Sequence, residues 1–299
     1  MISIVIPLYN KAKSIANTIK CIQNQTYQDF EIVVVEGWST DGSTEIIKKN
    51  ATEEPRLRVL MQVNRKGVTP ARNESIEAAK YDRIAFIDAD DYWEPTYLET
   101  LVKLMDDFPQ AGIWGMNHGF ITQNGKQKNT ELIHAIYYKN FRGIIYNPWQ
   151  YGSPYWTGAV GISKTAFEKV GGFDNRIIFG EDIDLWYRLM LEFPCAYEDK
   201  TLSYYRVDAE NRACNNTFPL NIHLPYYIDK YAKHRKDNVD FRKYFDLQCL
   251  YRLFPYALEN THNPELKRVL SQIDFSQQKF SMRLRFLCPR LYDFYTKIK

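Results

Sequence analysis

The chain has 299 residues, enough for one large α/β domain with an appendage or for two modest domains. Forty-five per cent of residues are apolar and 25% are charged, as in an ordinary soluble protein, and a net charge of +3 argues against a general nucleic-acid binder. The five cysteines (Cys21, Cys195, Cys214, Cys249, Cys288) are scattered, odd in number and never in CxxC spacing, so they read as reduced, cytosolic thiols rather than a disulfide framework or zinc site. The N-terminus lacks a basic segment and a long apolar run, so no signal peptide is read there, and no stretch approaches ~18 uninterrupted apolar residues.

In chain order, residues 3–8 read as a buried parallel strand. Ser14 starts a helical pattern with Ile15, Ile19 and Ile22 on one face. Residues 30–35 form a second strand, and Ser39-Thr40-Asp41-Gly42 is turn chemistry. Asp41 or Ser43 is expected to cap a helix running to about Asn50. A third strand covers 57–62. Thr69 or Pro70 opens a helix to Ala79, since proline suits a first turn. A fourth strand covers 83–87 and a helix 95–108. This alternation predicts a mostly parallel sheet wound on both faces. Ligands of such sheets sit beyond the carboxyl ends of the strands, where Asn10, Glu36 and residues 88–91 fall. Residues 111–155 are less regular, with two strand-like runs and a loop expected at 123–129. Residues 164–170 and 182–193 read as helices, the latter strongly amphipathic. After about Arg206 the chain is basic, aromatic and helical in character, so the expected division is 1–210 and 211–299.

Phe86-Ile87-Asp88-Ala89-Asp90-Asp91 places carboxylates directly after a buried strand. On an extended chain Asp88 and Asp90 face one side and can address one ligand. Hard oxygen donors in small number suit Mg²⁺ or Mn²⁺ held jointly with substrate phosphates, where a departing diphosphate needs neutralising. The competing reading is a polar strand-end loop with helix-capping aspartates.

These residues belong to an ordered set. The opening Ser3-Ile4-Val5-Ile6-Pro7-Leu8-Tyr9-Asn10 is followed by Val35-Glu36-Gly37-Trp38-Ser39-Thr40-Asp41-Gly42-Ser43. Next come Asn64-Arg65-Lys66-Gly67-Val68-Thr69-Pro70-Ala71-Arg72-Asn73, then Asp88-Ala89-Asp90-Asp91, then Gly180-Glu181-Asp182-Ile183-Asp184-Leu185-Trp186. Over about residues 1–206 the chain resembles the family 2 glycosyltransferases of the GT-A fold. The resemblance implies an inverting transferase that uses a nucleotide-sugar donor, most often a UDP-sugar. It implies that Pro7 and Tyr9 border the base, that Glu36 hydrogen-bonds the uracil or ribose, and that Arg72 lies near the nucleotide. Asp88 would bind the nucleoside, Asp90 the metal, and Asp182 would be the catalytic base, with Trp156 and Glu181 on the acceptor side. Inversion by single displacement needs one carboxylate placed to take the acceptor hydroxyl's proton, and a helix N-terminus after the flexible Phe179-Gly180 would keep Asp182 ionised. The plain alternative is that Asp182 only caps that helix.

Two departures stand out. Glu36-Gly37-Trp38 replaces the commoner Asp-Asp-Gly, and Trp38 either lines the nucleotide pocket or packs on a neighbouring loop. Tyr205-Arg206-Val207-Asp208 stands where the family often has Tyr-Arg-x-His. Asp208 is then a metal ligand in place of the His, or the third ligand is missing; Arg206 grips the diphosphate, or the two form a surface pair. Trp156 either stacks on a sugar or is buried.

Residues 276–299 hold six Lys or Arg against one acidic residue, Asp293, interleaved with aromatics. This suits peripheral contact with an anionic membrane, or a terminal helix docked on the protein. Pro289 is expected to break it. The full expectation is a GT-A catalytic part with a helical extension, acting in the cytoplasm at the inner face of the membrane. It would move a sugar to a saccharide or lipid-linked saccharide acceptor in bacterial surface-polysaccharide assembly. A nucleotidyltransferase of related fold would carry glycines in 7–13, which this chain lacks; a non-catalytic nucleotide- or carbohydrate-binding module is the remaining alternative.

Overall fold

The computed structural model describes residues 1–64, 66–122, 125, 127–129, 137–212 and 215–298. Arg65, Cys214 and part of the loop expected at 123–129 lie outside the described residues.

Strands β1 (Ile2–Leu8), β2 (Phe30–Glu36) and β3 (Leu57–Met61) are parallel neighbours, and β4 (Arg83–Phe86) pairs parallel with β1 on its other side. β2 is buried along its whole length, which is why residues 32–35 read as a continuous apolar run rather than an alternation. The sheet continues through β5 (Tyr92–Trp93), β6 (Ile113–Ile121), β7 (Gln127–Asn129), β8 (Arg142–Ile145), β9 (Val160–Ser163) and β10 (Cys195–Arg206). Its order is β3-β2-β1-β4-β9-β6-β10-β5, with β7 beside β6 and β8 beside β10. β9 runs antiparallel to both β4 and β6, while β10 runs parallel to β6.

Helices α1 (Ile15–Gln23), α2 (Ser43–Glu53), α3 (Val68–Ala78) and α4 (Tyr97–Asp107) link these strands, as the alternation predicts. Ile4 and Ile6 share a core cluster with Ile19 of α1 and Leu101 of α4. Val5 and Val33 alternate to the opposite face, and α3 packs on β1 and β2. After winding outward from β1 to β3, the chain returns to place β4 on the far side of β1. That reversal opens a crevice at the carboxyl ends of β1 and β4. Further along lie α5 (Pro148–Tyr151), α6 (Lys164–Val170) and α7 (Glu181–Glu192).

The chain forms two compact units, Met1–Asn175 with Glu181–Asn216, and Arg176–Gly180 with Thr217–Lys299. The expected division at 210 thus falls short of the observed one, and 176–180 go with the second unit. Phe179, read from sequence as part of a flexible lead-in, is held there: its N–H donates to Ile222 O (3.3 Å) and its carbonyl accepts from Leu224 N (3.2 Å). The second unit is helical, with α8 (Ala232–Asp237), α9 (Val239–Glu259), α10 (Pro264–Leu270), α11 (Phe280–Leu287) and α12 (Pro289–Ile298). Asn238 caps α9 by accepting the Phe241 N–H (2.9 Å). Pro289 divides the last two helices by opening α12, a position where its missing N–H costs nothing.

Candidate active site

The turns after β1 and β2 are stitched together. Gly37 N donates to Leu8 O (2.8 Å), Asn10 N to Ser39 Oγ (2.9 Å) and Thr40 N to Asn10 Oδ1 (2.8 Å). Pro7 lies within β1 beside Val35, and Tyr9 just beyond it is exposed. Glu36 departs from expectation: it is fully buried, and its two carboxylate oxygens accept from Trp38 N (2.9 Å) and Ser39 N (2.7 Å). The longer side chain folds back on its own turn instead of reaching a base. Trp38 is not packed away but 53% exposed, with its indole Nε1 donating to Gln62 O (3.0 Å). Its φ of 64° lies in the left-handed region that favours glycine, the residue usual at this place. The expected helix caps also differ. Gly42 precedes α2, while Asp41 Oδ1 accepts from Ser43 N (3.0 Å) and Ser43 Oγ (2.6 Å).

Across the crevice, the turn after β4 carries Asp88, Asp90 and Asp91. Lys11, from the β1 turn, donates from Nζ to Asp90 Oδ2 (2.6 Å). Arg206, at the end of β10, donates from its backbone N to Asp91 Oδ1 (3.2 Å) and from Nε to Asp90 O (3.2 Å). Its Nη1 stands 3.8 Å from Asp208 Oδ1. Burial pushes Asp90 above the usual carboxylate range, Asp88 adding to the push while Lys11 opposes it. Burial, with the charges of Asp88 and Asp90, pushes Asp91 up well above that range. Asp91 Oδ2 is buried without a hydrogen-bond partner among the described residues. This is a crowd of hard oxygen atoms largely removed from water.

Arg72, buried on α3, joins that cluster to the start of α7. Its Nη2 donates to Asp88 Oδ1 (2.9 Å) and its Nη1 to Glu181 Oε1 (2.8 Å). Burial lowers the Arg72 pKa, but Asp88, Glu181 and Asp182 outweigh it and raise it overall. Glu181 is pushed up to about 7 by burial and by Asp182, against the pull of Arg72. Asp182 stands in the first turn of α7 rather than at the cap, and remains partly accessible. Its Oδ1 accepts from Ile183 N (2.8 Å) and its Oδ2 from Thr157 Oγ1 (2.9 Å), which fixes the carboxylate at the helix N-terminus. Trp156 is half-buried, stacked on His118 (centroids 4.6 Å apart) and edge-on to Tyr205 (5.6 Å). A Cβ on Gly158 would come within 2.3 Å of the Trp156 ring, so glycine is needed beneath it.

Thr157 and Lys11 are the contacts that sequence reasoning missed. Each stands next to a residue singled out from the sequence, Trp156 and Asn10, but nothing in the spacing said that a hydroxyl would meet Asp182 or an ammonium Asp90. For a divalent metal, the chemistry of the donor set fits: Asp88, Asp90 and Asp91 present hard carboxylate oxygens, one of which, Asp91 Oδ2, has no hydrogen-bond partner among the described residues. Among the described residues no group of three His, Cys, Asp or Glu could hold a metal by itself. Such a site suits an ion completed by substrate phosphate and water.

A family model described as glycosyl transferase family 2 matches residues 3–171. Glycosyltransferase GlyG of Streptococcus pneumoniae is 37% identical over 125 residues, 42% of each chain. The amylovoran biosynthesis glycosyltransferase AmsB of Erwinia amylovora is 29% identical over 112 residues, 37% of each. The chain thus spans well under half the length of these curated relatives. The crystal structure of S. aureus TarS 1–349 in complex with UDP-GlcNAc is 18% identical, with a TM-score of 0.62 over 97% of this chain and 78% of that one. This likeness carries the fold, which is the GT-A fold expected from the motifs.

Proposed function

Because this chain belongs to glycosyl transferase family 2, we propose that it moves a sugar, with inversion, from a UDP-sugar to a hydroxyl of a saccharide acceptor. The biological setting we assign is bacterial surface-polysaccharide assembly at the inner face of the membrane, with a lipid-linked acceptor. AmsB, an amylovoran biosynthesis glycosyltransferase, supports the polysaccharide part of that setting, and the UDP-GlcNAc complex of TarS supports the donor class. The single observation that carries the reading is Arg72. One buried guanidinium ties Asp88, on the donor side, to Glu181, beside the base, so distant segments build one site.

In this reading Tyr9 and Trp38, exposed on adjoining turns, flank the nucleobase, and Pro7 borders it. Asp88 and Arg72 meet the nucleoside and Arg206 the diphosphate. Asp90, with Asp208 as second ligand, would hold Mn²⁺ or Mg²⁺, which would supply positive charge for the departing diphosphate. Lys11 holds the Asp90 carboxylate in place. The acceptor lies toward Trp156 and Glu181, its hydroxyl against Asp182. As the hydroxyl oxygen bonds to the anomeric carbon, its proton passes to the Asp182 carboxylate. The anomeric carbon–oxygen bond breaks on the opposite face, and its electron pair leaves with UDP. Thr157 keeps Asp182 turned toward the acceptor.

Release of UDP from UDP-sugars, with and without Mn²⁺ and acceptor, tests the reading. Asp182→Asn should fold normally, bind UDP normally and lose transfer by at least ~10²-fold. Asp90→Ala should lose metal-dependent donor binding. Wild-type transfer by Asp182→Asn would remove the base assignment, and undiminished metal-dependent binding by Asp90→Ala would remove the metal assignment.

A further inference from the structure

We propose that the outward face of α11 docks on an anionic lipid surface. Helix α11 carries apolar side chains on two opposite sides. Its inner side is occupied: Met282 is buried, and the Phe286 ring meets Phe254 (5.9 Å) and Phe275 (6.0 Å) edge-on. Arg285 lies 4.0 Å over the Phe254 ring and 5.0 Å over Tyr292, which further fixes the helix to α9 and α12. The other side carries Phe280, Leu284 and Leu287, spaced i, i+4, i+7 and therefore within about 60° of arc. These three are 70%, 42% and 73% exposed, and Phe294 on α12 is 63% exposed. A monomeric protein seldom leaves such a row uncovered.

Charge selects the occupant. Residues 215–299 carry 15 Lys and Arg against 8 Asp and Glu, whereas residues 1–214 carry 24 against 28. The basic excess thus belongs to the part that bears the apolar row. Lys279 and Arg290 are exposed at the two ends of α11, and Asp293 is the only acid from 276 to 299. An apolar stripe flanked by basic side chains inserts shallowly among acyl chains while its charges meet acidic headgroups. A second copy of this chain would set the basic ends against like charge unless it docked elsewhere. None of the described helices is long and apolar enough to span a bilayer, so the contact is peripheral. The proposal deepens the reading of the acceptor as lipid-linked, but its test does not require transfer.

The test is co-sedimentation of the full chain with vesicles of phosphatidylcholine alone and of phosphatidylcholine with phosphatidylglycerol. Binding is expected only with the anionic vesicles, weakening as salt rises. The pair Phe280→Ser and Leu287→Ser should lower it about tenfold or more. The pair Lys279→Glu and Arg290→Glu should lower it similarly while leaving the apolar row intact, and it decides the matter if the first pair does not fold. Absence of wild-type binding, or full binding by both folded variants, overturns the proposal. So does a concentration-dependent dimer in sedimentation velocity that the serine pair abolishes without any vesicle binding. UDP release measured on the same samples separates the two readings. Release without vesicle binding sinks only the docking, and binding without release or transfer sinks only the glycosyltransferase assignment.

Discussion

Trp38 sits in a backbone conformation that costs a non-glycine residue about 1–2 kcal/mol. Its indole hydrogen bond to Gln62 offsets about 1 kcal/mol of that. Trp38→Gly removes both and adds about 0.5–1 kcal/mol of chain entropy, so net stability should change by less than about 1 kcal/mol. If Trp38 flanks the base, the same variant should bind UDP about tenfold more weakly, and nucleotide should quench the wild-type tryptophan fluorescence. Unchanged affinity by calorimetry would return Trp38 to a purely structural role. Glu181 gives a pH signature. Its folded pKa of about 7 stands above the ordinary 4.5, so folding favours its protonated form. The stability it contributes is complete below about pH 4.5 and is lost as pH rises through 7. Glu181→Gln should flatten the denaturant-measured stability profile across that window, by about 3 kcal/mol at most. An unaltered slope would mean that Arg72 keeps Glu181 ionised throughout.

The segment after β10 behaves as a strap on the β1–α1 turn. Glu210 accepts from Lys13 N (3.1 Å) and Ser14 Oγ (2.9 Å), its carbonyl accepts from Lys11 Nζ (2.5 Å), and Asn211 Nδ2 reaches Asn10 O (3.1 Å). The strap lies beside a cavity of about 330 Å³ lined in part by Asp90, Asp91 and Arg206. Because the two side-chain bonds of Glu210 are exposed or only partly buried, Glu210→Ala should cost less than about 1 kcal/mol overall. It should instead speed hydrogen exchange at 208–212, and unchanged exchange there would mean the strap is held by the remaining contacts. The sequence showed α7 clearly, through its acidic start and apolar stripe, but not that Asp182 would stand inside the first turn with Thr157 on it. That contact joins residues 25 positions apart.

Two compact units in one chain need not unfold together. Differential scanning calorimetry should therefore give a calorimetric enthalpy larger than the van't Hoff value. UDP with Mn²⁺ at about 100 times its Kd should stabilise the first unit by about 2.7 kcal/mol and leave the second unmoved. A single two-state transition would show that the units unfold as one.

Sequence alone determined the alternation of strands and helices, the parallel sheet and the ordered motifs at its strand ends. Those follow from local periodicity and turn chemistry, which neighbouring residues encode. It also located the basic, aromatic C-terminal part. The tertiary structure decided what each polar group meets. Glu36, read as a ligand contact, turned inward because two N–H groups of its own turn lay within reach. Arg72 became the link between Asp88 and Glu181, and Lys11 the partner of Asp90. The row Phe280, Leu284 and Leu287 emerged as uncovered only once Met282 and Phe286 were seen to take the inner side. Burial and long-range pairing depend on how separated segments pack, and no spacing along the chain encodes them.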